Sequence, residues 1–131
     1  MNNICEVIEN LEDFRKLSPA SDEQIQSCEE QLGLKFAKEF KEYVKKYGAI
    51  SAKGIELIGI SASPRLNVVD VTIRERLINS SFPLDMYVVE NTAIEGILIL
   101  QNKNGETYEF QSSGKLKKLY NSLREYILES K

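Results

Sequence analysis

Apolar residues in this chain keep helical spacing as far as Tyr47, then mostly alternate or run consecutively from Ile55 to Leu119, apart from an ambiguous stretch at Asn67 to Asn79, before a last helical stretch. That switch argues against both a pure helical bundle and an all-β sandwich, because each period buries its stripe only in its own kind of element. Helices, then mostly antiparallel strands, then a closing helix indicate an α+β fold. One face of the sheet would be covered by helices, with the other face or its rim loops left free. At 131 residues the chain is read as one domain with a core of its own.

The helical part divides at clear punctuation. Ile4, Val7, Ile8, Leu11 and Phe14 form one stripe, ended by Leu17-Ser18-Pro19-Ala20. Ser21 with Gln24 forms a capping box for a second helix, whose stripe is Ile25, Cys28 and Leu32. Gly33 is placed as its left-handed stop, with Leu34 folding back. Phe36, Phe40, Tyr43, Val44 and Tyr47 mark a third helix, stopped by Gly48.

Beyond it, Ile55 to Ile60 reads as a strand. Asn67 to Asn79 is β-branched at Val68, Val69, Val71, Thr72 and Ile73, which favours a strand locally. Val69, Ile73 and Leu77 nevertheless recur four apart, and Asn67 can cap, so the segment is read as a helix. Met86 to Glu90 and Ile97 to Gln101 follow as strands, the second apolar on consecutive positions and so expected to be covered on both faces. Asn102-Lys103-Asn104-Gly105 is a hairpin turn by composition. Glu106 to Gln111 alternates, and Leu116 to Leu119 is a short edge strand blunted by lysines. Asn121 or Ser122 caps a final helix carrying Leu123, Tyr126 and Ile127.

The chain has no His, which removes Ser–His and Cys–His nucleophile systems and most zinc sites. Carboxylates, Lys or Tyr remain as acid–base groups. Cys5 and Cys28 fall on apolar faces and read as small hydrophobes. No Asp-x-Asp-x-Asp loop or P-loop pattern is present, so no metal or cofactor is expected. No segment approaches the roughly 20 apolar residues of a membrane span. The N-terminus carries acids where a signal peptide carries bases, which leads to an expected cytoplasmic location and no membrane partner.

Net charge is −3, distributed in blocks. Residues 1–33 hold eight acids and two bases, 34–54 two acids and six bases, 55–114 eight acids and four bases, and 115–131 two acids and five bases. This alternation argues against direct nucleic-acid binding, which wants one concentrated basic face. Glu56, Asp70, Asp85, Glu90, Glu95 and Glu109 sit near strand ends or on outward positions. They could be ordinary solvated surface, a recognition face for a basic protein, or the acids of a carboxylate-dependent hydrolase with two of them close together in a concave pocket. Tyr87 and Tyr108 could lie at the core edge or anchor an interface.

Short motifs recur in a recognisable order. Glu29-x-x-Leu32-Gly33-Leu34-x-Phe36-x-x-Glu39-Phe40-Lys41-Glu42-Tyr43-Val44, ending at Tyr47-Gly48, resembles the N-terminal signature of the SUKH superfamily. Ala37 stands where that pattern usually has Pro. Ser122-Leu123-x-Glu125-Tyr126-Ile127 resembles its closing helix, with Leu123 for the first aromatic. Asn67-Val68-x-Asp70-x-Thr72, Phe82-Pro83-x-Asp85-Met86-Tyr87-Val88-Val89-Glu90-Asn91 and Gly96-Ile97-x-Ile99-Leu100-Gln101 resemble the YobK-type immunity subgroup. The resemblance covers about residues 18–130.

It implies a curved mixed, mostly antiparallel sheet with helices packed on one face. It also implies a role, since the superfamily joins bacterial toxin-immunity proteins with a fungal regulator of cell-wall synthesis. The expected partner is the C-terminal domain of a cognate toxin, a nuclease in kind, with a housekeeping adaptor role as the alternative. No catalytic residue is carried over. A nuclease cleft is basic, so an acidic face would suit it. The expected contacts are Asp70, Asp85, Glu90 and Glu95, with Tyr87 as anchor.

Overall fold

The structure is a computed structural model that describes residues 3–92 and 94–130. Three helices lead, α1 (Ile4–Glu9), α2 (Asp22–Leu32) and α3 (Lys38–Tyr47), with a two-residue strand β1 (Arg15–Lys16) between the first two. The hairpin β2 (Ile50–Ala52) and β3 (Ile55–Leu57) follows, then a 3-10 turn at Pro64–Leu66 and α4 (Val68–Ile78). Four strands, β4 (Met86–Asn91), β5 (Ile97–Asn102), β6 (Thr107–Gln111) and β7 (Leu116–Tyr120), precede α5 (Leu123–Ser130). The α+β class stands.

The caps on α2 form as the sequence indicates. Gln24 N–H donates to Ser21 Oγ at 3.1 Å, and Ser21 N–H to Gln24 Oε1 at 2.8 Å. Gly33 ends the helix in the left-handed region, at φ 66°. Gly48 has a stronger reason to be glycine. Its φ is 73°, and a Cβ there would stand 2.0 Å from the Ser18 carbonyl oxygen. Gly59 meets the same crowding from the other side, 1.9 Å from the Gly48 oxygen. The two glycines let the end of α3 lie against the chain after β3, where Ile60 N–H donates to Gly48 O at 2.8 Å.

The fold departs from expectation in several places. The first helix stops at Glu9 and does not reach Phe14, because Asn10 closes it and Asp13 turns left-handed at φ 58°. Leu11 and Phe14 still join the core from the loop, Phe14 edge-on to Tyr47 at 5.3 Å. The strand expected over Ile55 to Ile60 ends at Leu57, since Ile58 N–H turns to Val89 O and Gly59 to the chain before α4, and the short strands β1 and β2 carry no pattern of their own. Asn67 occupies the N-cap position of α4 without capping it: its Nδ2 donates to Asp70 Oδ2 at 2.8 Å, and its Oδ1 accepts from Ser61 N–H.

Strands β1-β2-β3 form one antiparallel sheet and β4-β5-β6-β7 another. A bulge interrupts the β4–β5 register between Val88 and Glu90. At that bulge the Val89 carbonyl accepts from Ile58 N–H at 2.9 Å, linking the two sheets. Beside it, Val88 N–H donates to Thr72 Oγ1 of α4 at 3.1 Å, so a helix side chain occupies the outer edge of β4. Register places Tyr87, Gln101, Thr107 and Tyr120 on one face. Hydrogen bonds from Gln101 to α3 and from Tyr126 of α5 to Glu90 show that these two helices cover it. The opposite face carries Leu98 and Phe110, with Phe82 edge-on to Phe110 at 5.3 Å. Strand β5 is buried on both faces from Leu98 onward, as its continuous apolar run requires.

Candidate partner-binding surface

Two of the five expected contact residues face inward. Tyr87 is 0% exposed. Its ring lies 4.8 Å from both Phe36 and Phe40, and its hydroxyl accepts from Ala37 N–H at 3.0 Å and donates to Gln101 Oε1 at 2.8 Å. Burial holds its phenol well above the ordinary value. Glu90 is 4% exposed and accepts from the Tyr126 hydroxyl at 2.5 Å. The β-bulge explains why alternation misplaced it. One extra residue at Val89 puts Glu90, three positions after Tyr87, on the same helix-covered face. Both side chains are enclosed by the chain's own helices.

Asp70, Asp85 and Glu95 are exposed and take part in no ion pair among the described residues. They do not form one cluster. Asp70 lies in the first turn of α4, while Asp85 precedes β4 and Glu95 sits in the turn after it. Strand β4 has six residues, which separates its two ends by about 20 Å. Asp85 shares a cleft with Lys35 and Lys103, so its surroundings are not acidic. Glu56 is held by Arg65 in a bidentate pair at 2.7 and 3.0 Å, which lowers its pKa.

The charge blocks largely meet each other. Lys41–Glu29, Lys45–Asp22, Lys46–Glu9 and Lys53–Glu12 each join the acidic residues 1–33 to the basic residues 34–54. Lys118–Glu106, at 2.8 Å, joins the second acidic block to the basic tail. Alternating sign along the sequence is therefore complementarity within the chain.

What the sequence reading missed is an apolar surface. Among the described residues eight large hydrophobics are exposed, and five fall between positions 73 and 94: Ile73, Leu77, Ile78, Leu84 and Ile94. Leu77 is 81%, Leu84 70%, Ile78 67% and Ile94 64% exposed. The signal was available. The apolar residues of α4 are spread around the helix between its charges instead of forming one stripe, and one side of a surface helix suffices for the core. Val68, Val69 and Thr72 fill that side, leaving Ile73, Leu77 and Ile78 outward. Ile78 lines a cleft of about 440 Å³ with Glu75, Arg74, Glu95 and Ser112, floored by Leu98 and Phe110. The last turn of α4 is held over this cleft by Asn79, whose Nδ2 donates to Ser112 O at 3.0 Å.

Among the described residues no three His, Cys, Asp or Glu side chains are grouped to hold a metal. Burial raises the thiol pKa of both cysteines, which suits small core side chains better than nucleophiles. Burial also pushes Glu39 up, but its oxygens are taken by the chain. They accept from Gln101 Nε2 at 2.6 Å, Leu123 N–H at 2.5 Å and Arg124 N–H at 3.3 Å.

The motif residues form much of this buried wiring. Ala37 N–H, Tyr87, Gln101, Glu39 and the start of α5 make one hydrogen-bonded chain, and Glu29 accepts from Phe36 N–H at 2.8 Å ahead of α3. These residues hold elements distant in sequence together. No helix among the described residues is long and apolar enough to cross a membrane. No curated protein matches the chain. The SUKH_5 family model, described as SMI1-KNR4 cell-wall, matches residues 1–130, and the chain belongs to this family.

Proposed function

We propose that this chain is an immunity protein that binds a cognate polymorphic toxin domain, of nuclease type, and neutralises it by occluding its active site in the cytoplasm of the producing cell. Membership of the SUKH family carries the reading, because that superfamily is associated with toxin immunity. The concentration of exposed apolar residues on and beside α4 supports it, since such patches mark protein–protein contact. Asp70 and Asp85 are proposed as peripheral charged contacts that steer a basic partner, and Glu95 as a direct charged contact. No catalytic residue, metal or cofactor is assigned.

Co-expression with the C-terminal domain of the secreted protein encoded beside this chain tests the reading. Protected growth and a co-eluting complex are expected. Cells that die equally fast with and without the chain, and no complex on a sizing column, overturn it. A housekeeping adaptor is the second reading, and a gene neighbourhood without any toxin would favour it.

A further inference from the structure

The open strand edges of this fold are guarded. Edge strand β1 exposes Arg15 and Lys16, and edge strand β7 exposes Lys117 and Lys118. Like charges on an edge discourage pairing with another sheet. The outer side of α4 has no such guard. Ile73 and Leu77 stand one turn apart, with Ile78 beside them, and Ile94 projects from the β4–β5 turn whose Glu95 lines the same cleft as Ile78.

The charges at that cleft select the occupant. Glu75 and Glu95 line it with Arg74, one negative charge in excess, and none of the three is in an ion pair among the described residues. Arg76 is turned aside and donates to the Leu84 carbonyl at 3.1 Å. Leu98 and Phe110 floor the cleft, and an aliphatic stem or a guanidinium face can lie on such a floor. Anionic lipid and nucleic acid meet net negative charge here, as does the identical cleft of a second copy.

We infer that the outer row of α4 and the β4–β5 turn form a docking surface for a protein that inserts an Arg or Lys side chain, flanked by apolar groups, into the Glu75–Glu95 cleft. Leu77 and Ile94 bury the flanking apolar groups, and the two carboxylates receive the charge. This deepens the proposed toxin-binding role, which supplies only the expectation that the occupant is a protein.

A phage-displayed library of random 12-residue peptides, selected on the whole chain, tests the surface without any toxin. Selected peptides should combine Arg or Lys with Leu, Phe, Tyr or Trp. Their binding should fall at least about tenfold with Leu77→Asp and with Glu75→Gln/Glu95→Gln together, and should be unchanged by Leu128→Asp on α5. Leu77, Glu95 and Leu128 are exposed, so these variants keep the fold. Peptides without basic residues, peptides that bind the variants as well as the parent, or no enrichment at all overturn the inference. So does a dimer in sedimentation equilibrium that Leu77→Asp dissolves, because a second copy would then be the occupant. A chain that selects such peptides yet gives no protection against the neighbouring toxin keeps this surface and loses the toxin reading. A toxin bound equally well by Leu77→Asp does the reverse.

Discussion

Glu39→Ala should be among the more damaging single substitutions in this protein, although the residue has no contact with a partner. Its carboxylate accepts from the first two backbone N–H groups of α5 and from Gln101 Nε2. Losing an N-terminal cap costs about 0.5–2 kcal/mol. Losing a hydrogen bond to a charged acceptor costs about 1.5–3 kcal/mol. Two offsets apply. Gln101 Nε2 keeps the Gly105 carbonyl at 3.0 Å, and the desolvation that raises the Glu39 pKa is relieved. The net expectation is about 2–3 kcal/mol for Ala. For Gln, which keeps one acceptor, it is about 1 kcal/mol. In urea, with a slope of about 1–3 kcal/mol/M, Ala moves the midpoint down by on the order of 1–2 M. Circular dichroism in the helical band reads it. A loss below about 0.5 kcal/mol for Ala, or a larger loss for Gln than for Ala, would refute the assignment of this carboxylate as the tie between α3, β5 and α5.

Other consequences follow from the same contacts. Glu39 titrates above the ordinary 4.5 in the folded state, so its contribution to stability is complete below that pH and is lost as pH rises through the folded value. The stability difference between the parent and Glu39→Gln should therefore fall as urea titrations move upward from about pH 4.5; a rise would contradict the sign. Tyr87→Phe should cost about 1–2 kcal/mol by orphaning Ala37 N–H and Gln101. Ala37 has φ −62°, which proline accepts, so Ala37→Pro should stabilise the Tyr87→Phe variant by about 0.4–1 kcal/mol and not the parent. Additive effects across that double-mutant cycle would break the proposed link. Gly48→Ala should destabilise by more than about 3 kcal/mol or prevent folding, because its Cβ meets the Ser18 carbonyl; a soluble variant with the parent's melting temperature would show that the loop gives way freely.

Long, strongly patterned elements were legible in the sequence, and short or interrupted ones were not. The capping box and Gly33 bounded α2 closely. The segment from Val68 to Ile78 is a helix despite its β-branched residues: Val68, Val69 and Thr72 come together on its buried side, where Thr72 accepts from Val88 N–H of β4. Strand β1 has no pattern to read in two residues, and its pairing with β2 exists only once the chain is folded. The site was less legible than the fold. Alternation cannot register a bulge, so it points Glu90 outward, and it leaves Tyr87 between core edge and anchor because its buried partners lie far away in sequence. Charge blocks look available to a partner in the sequence, whereas in the fold the lysines of α3 meet Glu9, Asp22 and Glu29. The spread of apolar residues around α4 signals that some of them lie outside the core, but only the fold says which side the core takes.

Isothermal titration of the purified chain with the C-terminal domain of the secreted protein encoded beside it asks whether the chain acts by binding a toxin domain. A one-to-one complex, loss of the domain's activity at the same stoichiometry, and binding weakened by Leu77→Asp are expected. No heat of binding, with full activity retained at excess of the chain, would contradict toxin binding.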